Sequence, residues 1–313
     1  MKNIPIQKGT PSPELYDHKD NENICFLCGN PRYKHYLTIN EYGFQFEYKR
    51  CQCGIIKQVP MPNEAFFEWF FNSEYFFSSE TTKDKKIWGY HDYFADEANR
   101  MSTSKWRYRR LKKFFDAGHS LNVMKIGPST GTFLHIAQQN GHHCRGCDVS
   151  NRFRQYAMEH YDVTIDYGRF EKQGYDNEQF DRLLLLSVLE NVPNQDEFLR
   201  EIQRTVKIQE FFIFNYVDMK YNLVEKLQKQ KYSLYRPPIC YLYDHEVITK
   251  LLNKYGFVEV YNIADLRVMN IEKILTLFGW HRIWKVAKAL HINRISFPIY
   301  AYPSRIIVAQ RVR

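Results

Sequence analysis

The sequence has no run of uncharged apolar residues approaching the roughly 20 that a membrane-spanning helix needs. Its first stretch, MKNIPIQKGTPSPELYDHKDNEN, is polar and lacks the apolar centre of a secretory leader. Both absences point to a chain that works in the cytoplasm. No block of Lys and Arg is long enough to form a nucleic-acid-binding arm. There is no internal repeat or low-complexity tract, which excludes solenoids and repeat arrays. The seven cysteines are an odd number and four of them cluster early, a pattern that fits metal ligation and not a disulfide framework.

What is present is ample material for a core. At 313 residues and 44% hydrophobic, the chain can build one large domain and a small accessory unit. Aromatic residues reach 16%, so clefts lined by rings are expected. The net charge of +9 suits an anionic partner such as a phosphate or a nucleotide-linked substrate, and equally a solvated basic surface.

The chain divides into a flexible tail (1–22), a cysteine-bearing unit (23–62), an aromatic helical connector (63–103), a central domain (104–262) and a C-terminal helix with a closing strand (263–313). SKWRYRRLKKFFD (104–116) reads as a basic amphipathic helix. Strands and helices then alternate, which predicts a Rossmann-like, doubly wound α/β sheet that is mostly parallel. The expected strands are Leu121–Ile126, His143–Val149, Val163–Asp166, Arg182–Leu186, Glu210–Tyr216, Val258–Val260 and Arg305–Gln310. The expected helices are Thr132–Asn140, Arg152–His160, Gln195–Thr205, Asp244–Tyr255 and Ile271–Leu290.

Two constellations carry chemistry. Cys25-Phe-Leu-Cys28-Gly and Cys51-Gln-Cys53-Gly form two close thiol pairs, the donor set of a structural zinc site, with four buried or free thiols as the alternative. Cys144, Cys147 and Cys240 read as ordinary buried thiols. Further along, Gly127-Pro-Ser129-Thr-Gly131 lies between a strand and a helix, where backbone can approach a ligand and helix N–H groups can meet it. Asp148 follows 17 residues after Gly131, at the end of the next strand, where a carboxylate can accept both hydroxyls of a ribose.

In order and spacing these segments resemble class I S-adenosylmethionine (SAM) methyltransferases with an N-terminal zinc-ribbon, a group that includes sugar and glycan methyltransferases. CFLCG, RCQCGIIKQVPMP, the Tyr-rich SEYFF and GYHDYF, KIGPSTGTF, GCDVS, GRFEKQGYDNEQFDRLLLLSVLENVP, YRPP and RIIVAQR carry the likeness, which covers nearly everything after residue 24. It implies a SAM site at Lys125, Gly127, Ser129, Gly131, Asp148 and Val149. Phe170 and Glu171 would lie near adenine, with Leu186 and Ser187 beneath the methionine part. Glu190 and Asn191 would stand at the pocket mouth, and Tyr90, His91 and His245 are candidates for general base. Arg236 with Tyr235 is a candidate holder of a phosphate or sugar.

The implied acceptor is a small molecule, a sugar or phosphorylated compound. The chain lacks the NPPY-like motif that a nucleic-acid methyltransferase would be expected to carry. Lys125 stands where the family has an acid, and would repel the methionine ammonium or hold its carboxylate. Ser129 replaces a glycine, Asn191 a histidine, Lys207-Ile-Gln-Glu a KPGG turn and Ile239-Cys240 a Glu-His pair. These departures motivate a second reading, a catalytically inactive scaffold that keeps the fold.

Overall fold

The computed structural model describes residues 12–17, 24–41, 44–77, 93–220, 222–277, 290, 292, 295–300 and 303–313. Strand β1 (Tyr16–Asp17) precedes the hairpin β2 (Tyr33–Glu41) and β3 (Phe44–Cys51), followed by β4 (Ile56–Val59) and β5 (Met61–Pro62). Helices α1 (Glu64–Asn72), α2 (Glu74–Phe77) and α3 (Glu97–Leu111) lead into the alternating region. There the order is β6 (Asn122–Ile126), α4 (Thr132–Gln139), β7 (His143–Asp148), α5 (Asn151–Tyr161), β8 (Ile165–Tyr167), β9 (Phe180–Leu185), α6 (Gln195–Thr205) and β10 (Val206–Val217). The remainder is α7 (Leu223–Gln228), β11 (Tyr241–Leu242), α8 (His245–Lys254), β12 (Phe257–Ala264), β13 (Arg267–Asn270), α9 (Ile271–Leu277), β14 (Ser296–Ile299) and β15 (Ser304–Arg311).

The central sheet has seven strands in the order β12-β15-β10-β9-β6-β7-β8. Strands β10, β9, β6, β7 and β8 pair in parallel, and β15 runs antiparallel between β10 and β12. This is the mostly parallel, Rossmann-like sheet that the alternation predicts. Strand β9 is buried along its whole length, as a central strand covered on both faces should be. Helix α6 buries Gln195, Phe198, Leu199, Ile202 and Thr205, a helical stripe laid on the sheet.

Helix α3 begins at Glu97, seven residues before the expected SKWRYRR start, because its buried stripe already includes Asn99. The Lys207-Ile-Gln-Glu segment, which stands where the resembled family has a turn, lies inside β10. The strand absorbs it as an irregularity, with Gln209 in the left-handed region and a register shift between Val206 and Phe211. The predicted C-terminal helix is described as far as Leu277; residues 278–289 lie outside the described ones, and Leu290 is in a turn.

The cysteine-bearing sheet is not closed on itself. Its order is β11-β4-β3-β2, so a strand that follows the central β10 completes it. Tyr241 pairs with Lys57 and Leu242 with Ile56, while Gln58 N donates to Cys240 O (2.8 Å). One continuous hydrophobic cluster joins Phe46 and Tyr48 of this sheet to Leu183 and Phe212 of the central one. Among the described residues no helix is long and apolar enough to cross a membrane.

Candidate functional site

Strand order reverses around β6, which has β7 on one side and β9 on the other. A parallel sheet opens a crevice at such a point, outside the carboxyl ends of its strands. A cleft of about 730 Å³ lies there, lined by Gly127, Ser129, Asp148, Ser187, Glu190 and Asp265 among others.

The turn after β6 forms one lip. Gly127, Ser129 and Gly131 have φ of 59°, 57° and 87°, all in the left-handed region. At Gly127 a Cβ would sit 2.4 Å from Val188 Cγ2, so both conformation and space demand glycine. Ser129 takes up the same conformation with a side chain. Its Oγ lies 2.5 Å from Tyr93 Oη, and the Arg100 guanidinium stacks 3.8 Å from the centre of the Tyr93 ring. The replacement of the family's glycine thus ties the turn to the start of α3.

Asp148 ends β7 and closes the other side of the turn. Its Oδ2 accepts from Ser129 N (3.2 Å) and its Oδ1 from Ser150 N (2.9 Å). Each oxygen keeps a further lone-pair direction for a ligand hydroxyl. Burial raises the carboxyl to about 6, against those hydrogen bonds and the attraction of Lys125. Val149, Phe170, Glu171, Leu186 and Ser187 also line the cleft. Glu171 is paired with Arg169, which also binds Glu64. Ser187, with φ of 62°, donates its N–H to Asn215 Oδ1 at 2.5 Å.

Lys125 does not face this cleft as the sequence suggests. Its side chain is buried and its ammonium donates to Gly127 O at 2.9 Å, beneath the turn. Burial, assisted by Arg107, lowers its pKa to about 7. Gly131 is likewise outside the lining. It opens α4 from a left-handed cap, packed so that a Cβ would lie 2.9 Å from that of Ala157.

Among the catalytic candidates, Glu190 and Asn191 line the cleft. Glu190 Oε1 accepts from Val217 N (3.1 Å), and burial raises its carboxyl to about 7. The buried Oδ1 of Asn191 has no hydrogen-bond partner among the described residues. His245 lies elsewhere, at the start of α8, with Nδ1 3.1 Å from Tyr216 Oη. Tyr90 and His91 lie outside the described residues. Arg236 lines the cleft, whereas Tyr235 is buried and donates to Glu225 Oε1 at 2.6 Å.

A buried polar network went unforeseen. Arg107 grips Asp265 with two bonds, Nε to Oδ1 (2.8 Å) and Nη2 to Oδ2 (2.7 Å). Asn215 Nδ2 donates to the same Oδ2 at 2.7 Å. Asp265 sits in the loop between β12 and β13, where no motif marks it. An aromatic wall that includes Phe67, Phe70, Phe71, Phe76 and Phe153 completes the cleft.

The four early cysteines converge. Their sulfurs all lie within 4.8 Å of one another, with Cys25 to Cys53 at 3.7 Å and Cys28 to Cys51 at 3.5 Å. Gly29 and Gly54, which follow the two pairs, have φ of 72° and 107°. The Cys53 thiol beside it holds Cys25 down at about 4. Of the other thiols, Cys147 and Cys240 are buried and Cys144 is half-buried.

Residues 124–214 match the family model described as "Methyltransferase domain". The matched residues run from β6 to β10 and include the glycine turn, Asp148 and Glu190. No curated protein matches the sequence. Among solved structures, the chain is similar to magnesium protoporphyrin IX methyltransferase from Synechocystis PCC 6803 with bound S-adenosylhomocysteine (SAH). That match has 16% identity, 70% of this chain, 87% of that one and a TM-score of 0.48. It is also similar to the complex of the Trm112 methyltransferase activator with a methyltransferase from Haloferax volcanii (14%, 70% and 96%, TM-score 0.49). A third is a SAM-dependent methyltransferase from Archaeoglobus fulgidus (15%, 70% and 100%, TM-score 0.47).

Proposed function

We propose that this chain is a SAM-dependent methyltransferase acting on a sugar, a nucleotide-linked sugar or a surface-glycan precursor. The observation that carries the reading is one cleft at the reversal point of the sheet. It holds a glycine turn and a strand-end carboxylate on one side and a buried acid, Glu190, on the other.

The cleft residues fit the cofactor. Asp148 would take the ribose hydroxyls, and the Gly127 turn, where a Cβ would strike Val188, would lie along the cofactor's backbone. Phe170 and Glu171 would flank adenine. Bound SAM supplies an activated methyl group, so the chain's task is in-line positioning and removal of the acceptor proton. Glu190, shifted to about 7 by burial, is the group in the cleft suited to that proton transfer near neutral pH. Asn191 beside it offers a buried carbonyl oxygen that can accept from an acceptor hydroxyl. Arg236 and Arg267 also line the cleft and suit an anionic acceptor.

The four cysteines fit zinc. Ligand bonds of about 2.3 Å in a tetrahedron place sulfurs about 3.8 Å apart, close to the 3.5 and 3.7 Å spacings here. Four thiolates leave no open position, so the ion would be structural. Unbridged thiols at these distances suit a reducing compartment, the cytoplasm.

The alternative, an inactive scaffold, draws on Lys125 in place of an acid. Since that ammonium is tucked beneath the turn, it does not block the cleft. Calorimetric titration with SAH tests the reading, followed by transfer of labelled methyl from SAM to sugar phosphates and nucleotide sugars. Micromolar SAH binding and label transfer are expected. No SAH binding at millimolar concentration would reduce the assignment to a fold.

A further inference from the structure

The methionine tail of SAM carries an ammonium, and a cation taken into a cleft needs a counter-charge. The resemblance places that acid at the end of β6, where this chain has Lys125. Some other carboxylate must serve if the cleft holds the cofactor.

Among the described residues six acids line the cleft: Glu64, Glu68, Asp148, Glu171, Glu190 and Asp265. Glu64 and Glu171 are both bound to Arg169, and Glu68 accepts from Tyr167 Oη at 3.1 Å. These three surround the end of β8, and Asp148 ends β7. All four therefore stand on the β7–β8 side of β6. A tail that leaves the ribose and crosses the turn heads toward β9 and β10, where Glu190 and Asp265 are the acids among the described residues.

Asp265 is built in more firmly. It is 4% exposed, its backbone N–H donates to Ser304 O, and Arg107 fixes both its oxygens. Asn215 links it to the strand end: Nδ2 donates to Asp265 Oδ2 (2.7 Å) while Oδ1 accepts from Ser187 N (2.5 Å). One amide thus spans from the carboxylate to the backbone at the end of β9. Asp265 Oδ2 also lies 3.4 Å from Ser304 Oγ, whereas Oδ1 accepts from Arg107 Nε and a carboxylate oxygen can take a second donor. Lys125 and Arg107 lie close enough to repel, so positive charge is already gathered beneath the turn. The negative group offered on the open side is Asp265.

We propose that Asp265, arriving from the loop after β12, receives the methionine ammonium of the cofactor in place of the acid missing from the glycine motif, with Asn215 as a positioning residue. The proposal rests on reading the cleft as a SAM site.

The test compares SAH with its desamino analogue, which keeps adenosine, thioether and carboxylate but has hydrogen in place of the amino group. Both are titrated into the full-length protein by calorimetry. Wild type should prefer SAH by at least tenfold, and in Asp265→Asn the preference should collapse to about twofold or less. The ratio of the two affinities cancels any general loosening of the pocket. If Asp265→Asn fails to fold, Asp265→Glu takes its place. That variant keeps the charge but displaces it by a methylene, and should reduce the preference. An unchanged preference in the folded variant overturns the proposal. So does a collapse in Glu190→Gln with Asp265→Asn unaffected, which would make Glu190 the partner. Failure of wild type to bind either compound defeats the cofactor reading itself, and this proposal with it.

Discussion

Lys125→Met removes a buried ammonium while nearly preserving the length of the side chain. Burial, reinforced by Arg107 and opposed by Asp148, brings the lysine from 10.5 to about 7. At 1.36 kcal/mol per unit, that shift costs the folded state about 5 kcal/mol up to about pH 7, where the folded lysine is still protonated. The substitution also deletes the bond from Nζ to Gly127 O, worth about 1–3 kcal/mol if the carbonyl finds no other donor. The variant should therefore be more stable than wild type by about 2–4 kcal/mol at pH 7.

The pH dependence separates this from a generic packing gain. Between about pH 7 and 10.5 the unfolded chain holds a proton that the folded chain has released, so wild-type stability from this group rises with pH. Below about pH 7 both states are protonated and the cost is constant. Lys125→Met lacks the titration, so its advantage shrinks by about 1.4 kcal/mol per unit above pH 7 and vanishes at about pH 8.5–10. Asp148 titrates at about 6, beneath that window. Urea unfolding of both proteins at about pH 7.5, 8.5 and 9.5 measures the difference directly. A difference that stays constant across this range, or a variant less stable at every pH, refutes the reasoning. Lys125→Asp, which would restore the family's acid, should instead destabilise, since it sets a carboxylate against the Gly127 carbonyl and near Asp148.

Asp148→Ala should weaken SAH binding by about tenfold or more, because one charged hydrogen bond contributes about 1.5–3 kcal/mol and a decade of affinity is 1.4 kcal/mol; calorimetry reads the change. Protein purified without added metal should hold about one zinc per chain by elemental analysis, and Cys28→Ser should lose most of it. With an accepted substrate, kcat/KM should rise with pH through about 7 and then level, following ionisation of Glu190. Glu190→Gln should lower the rate by about 10²- to 10⁴-fold and abolish that limb.

What could be read in advance was what is local and periodic. Helix α6 falls at Gln195–Thr205 as expected, since its apolar stripe recurs at helical spacing and a buried strand precedes it. The glycine turn and Asp148 were visible because a close backbone approach constrains neighbouring residues along the chain. The sense of Lys125 was misjudged for a different reason. Its place in the motif suggested a side chain facing the ligand, but its neighbour Ile126 lines the cleft and alternation along a strand turns Lys125 the other way.

Asp265 and β11 were invisible because their roles depend on partners far away in sequence. Asp265 meets Arg107 across 158 positions and Asn215 across 50. Tyr241 and Leu242, with too few residues to show a period, complete a sheet begun nearly two hundred residues earlier. The same pairing bears on the cysteine unit. A Cβ at Gly54 would strike Val247 of α8, and Lys250 of that helix donates to Cys53 O at 3.1 Å. The cysteine turns therefore rest on the helix that follows β11, and β11 itself directly follows Arg236, Pro238 and Ile239 of the cleft wall. An ion that holds those turns would brace that wall through α8 and β11, which gives a structural metal a physical connection to the acceptor side of the site without any part in the chemistry.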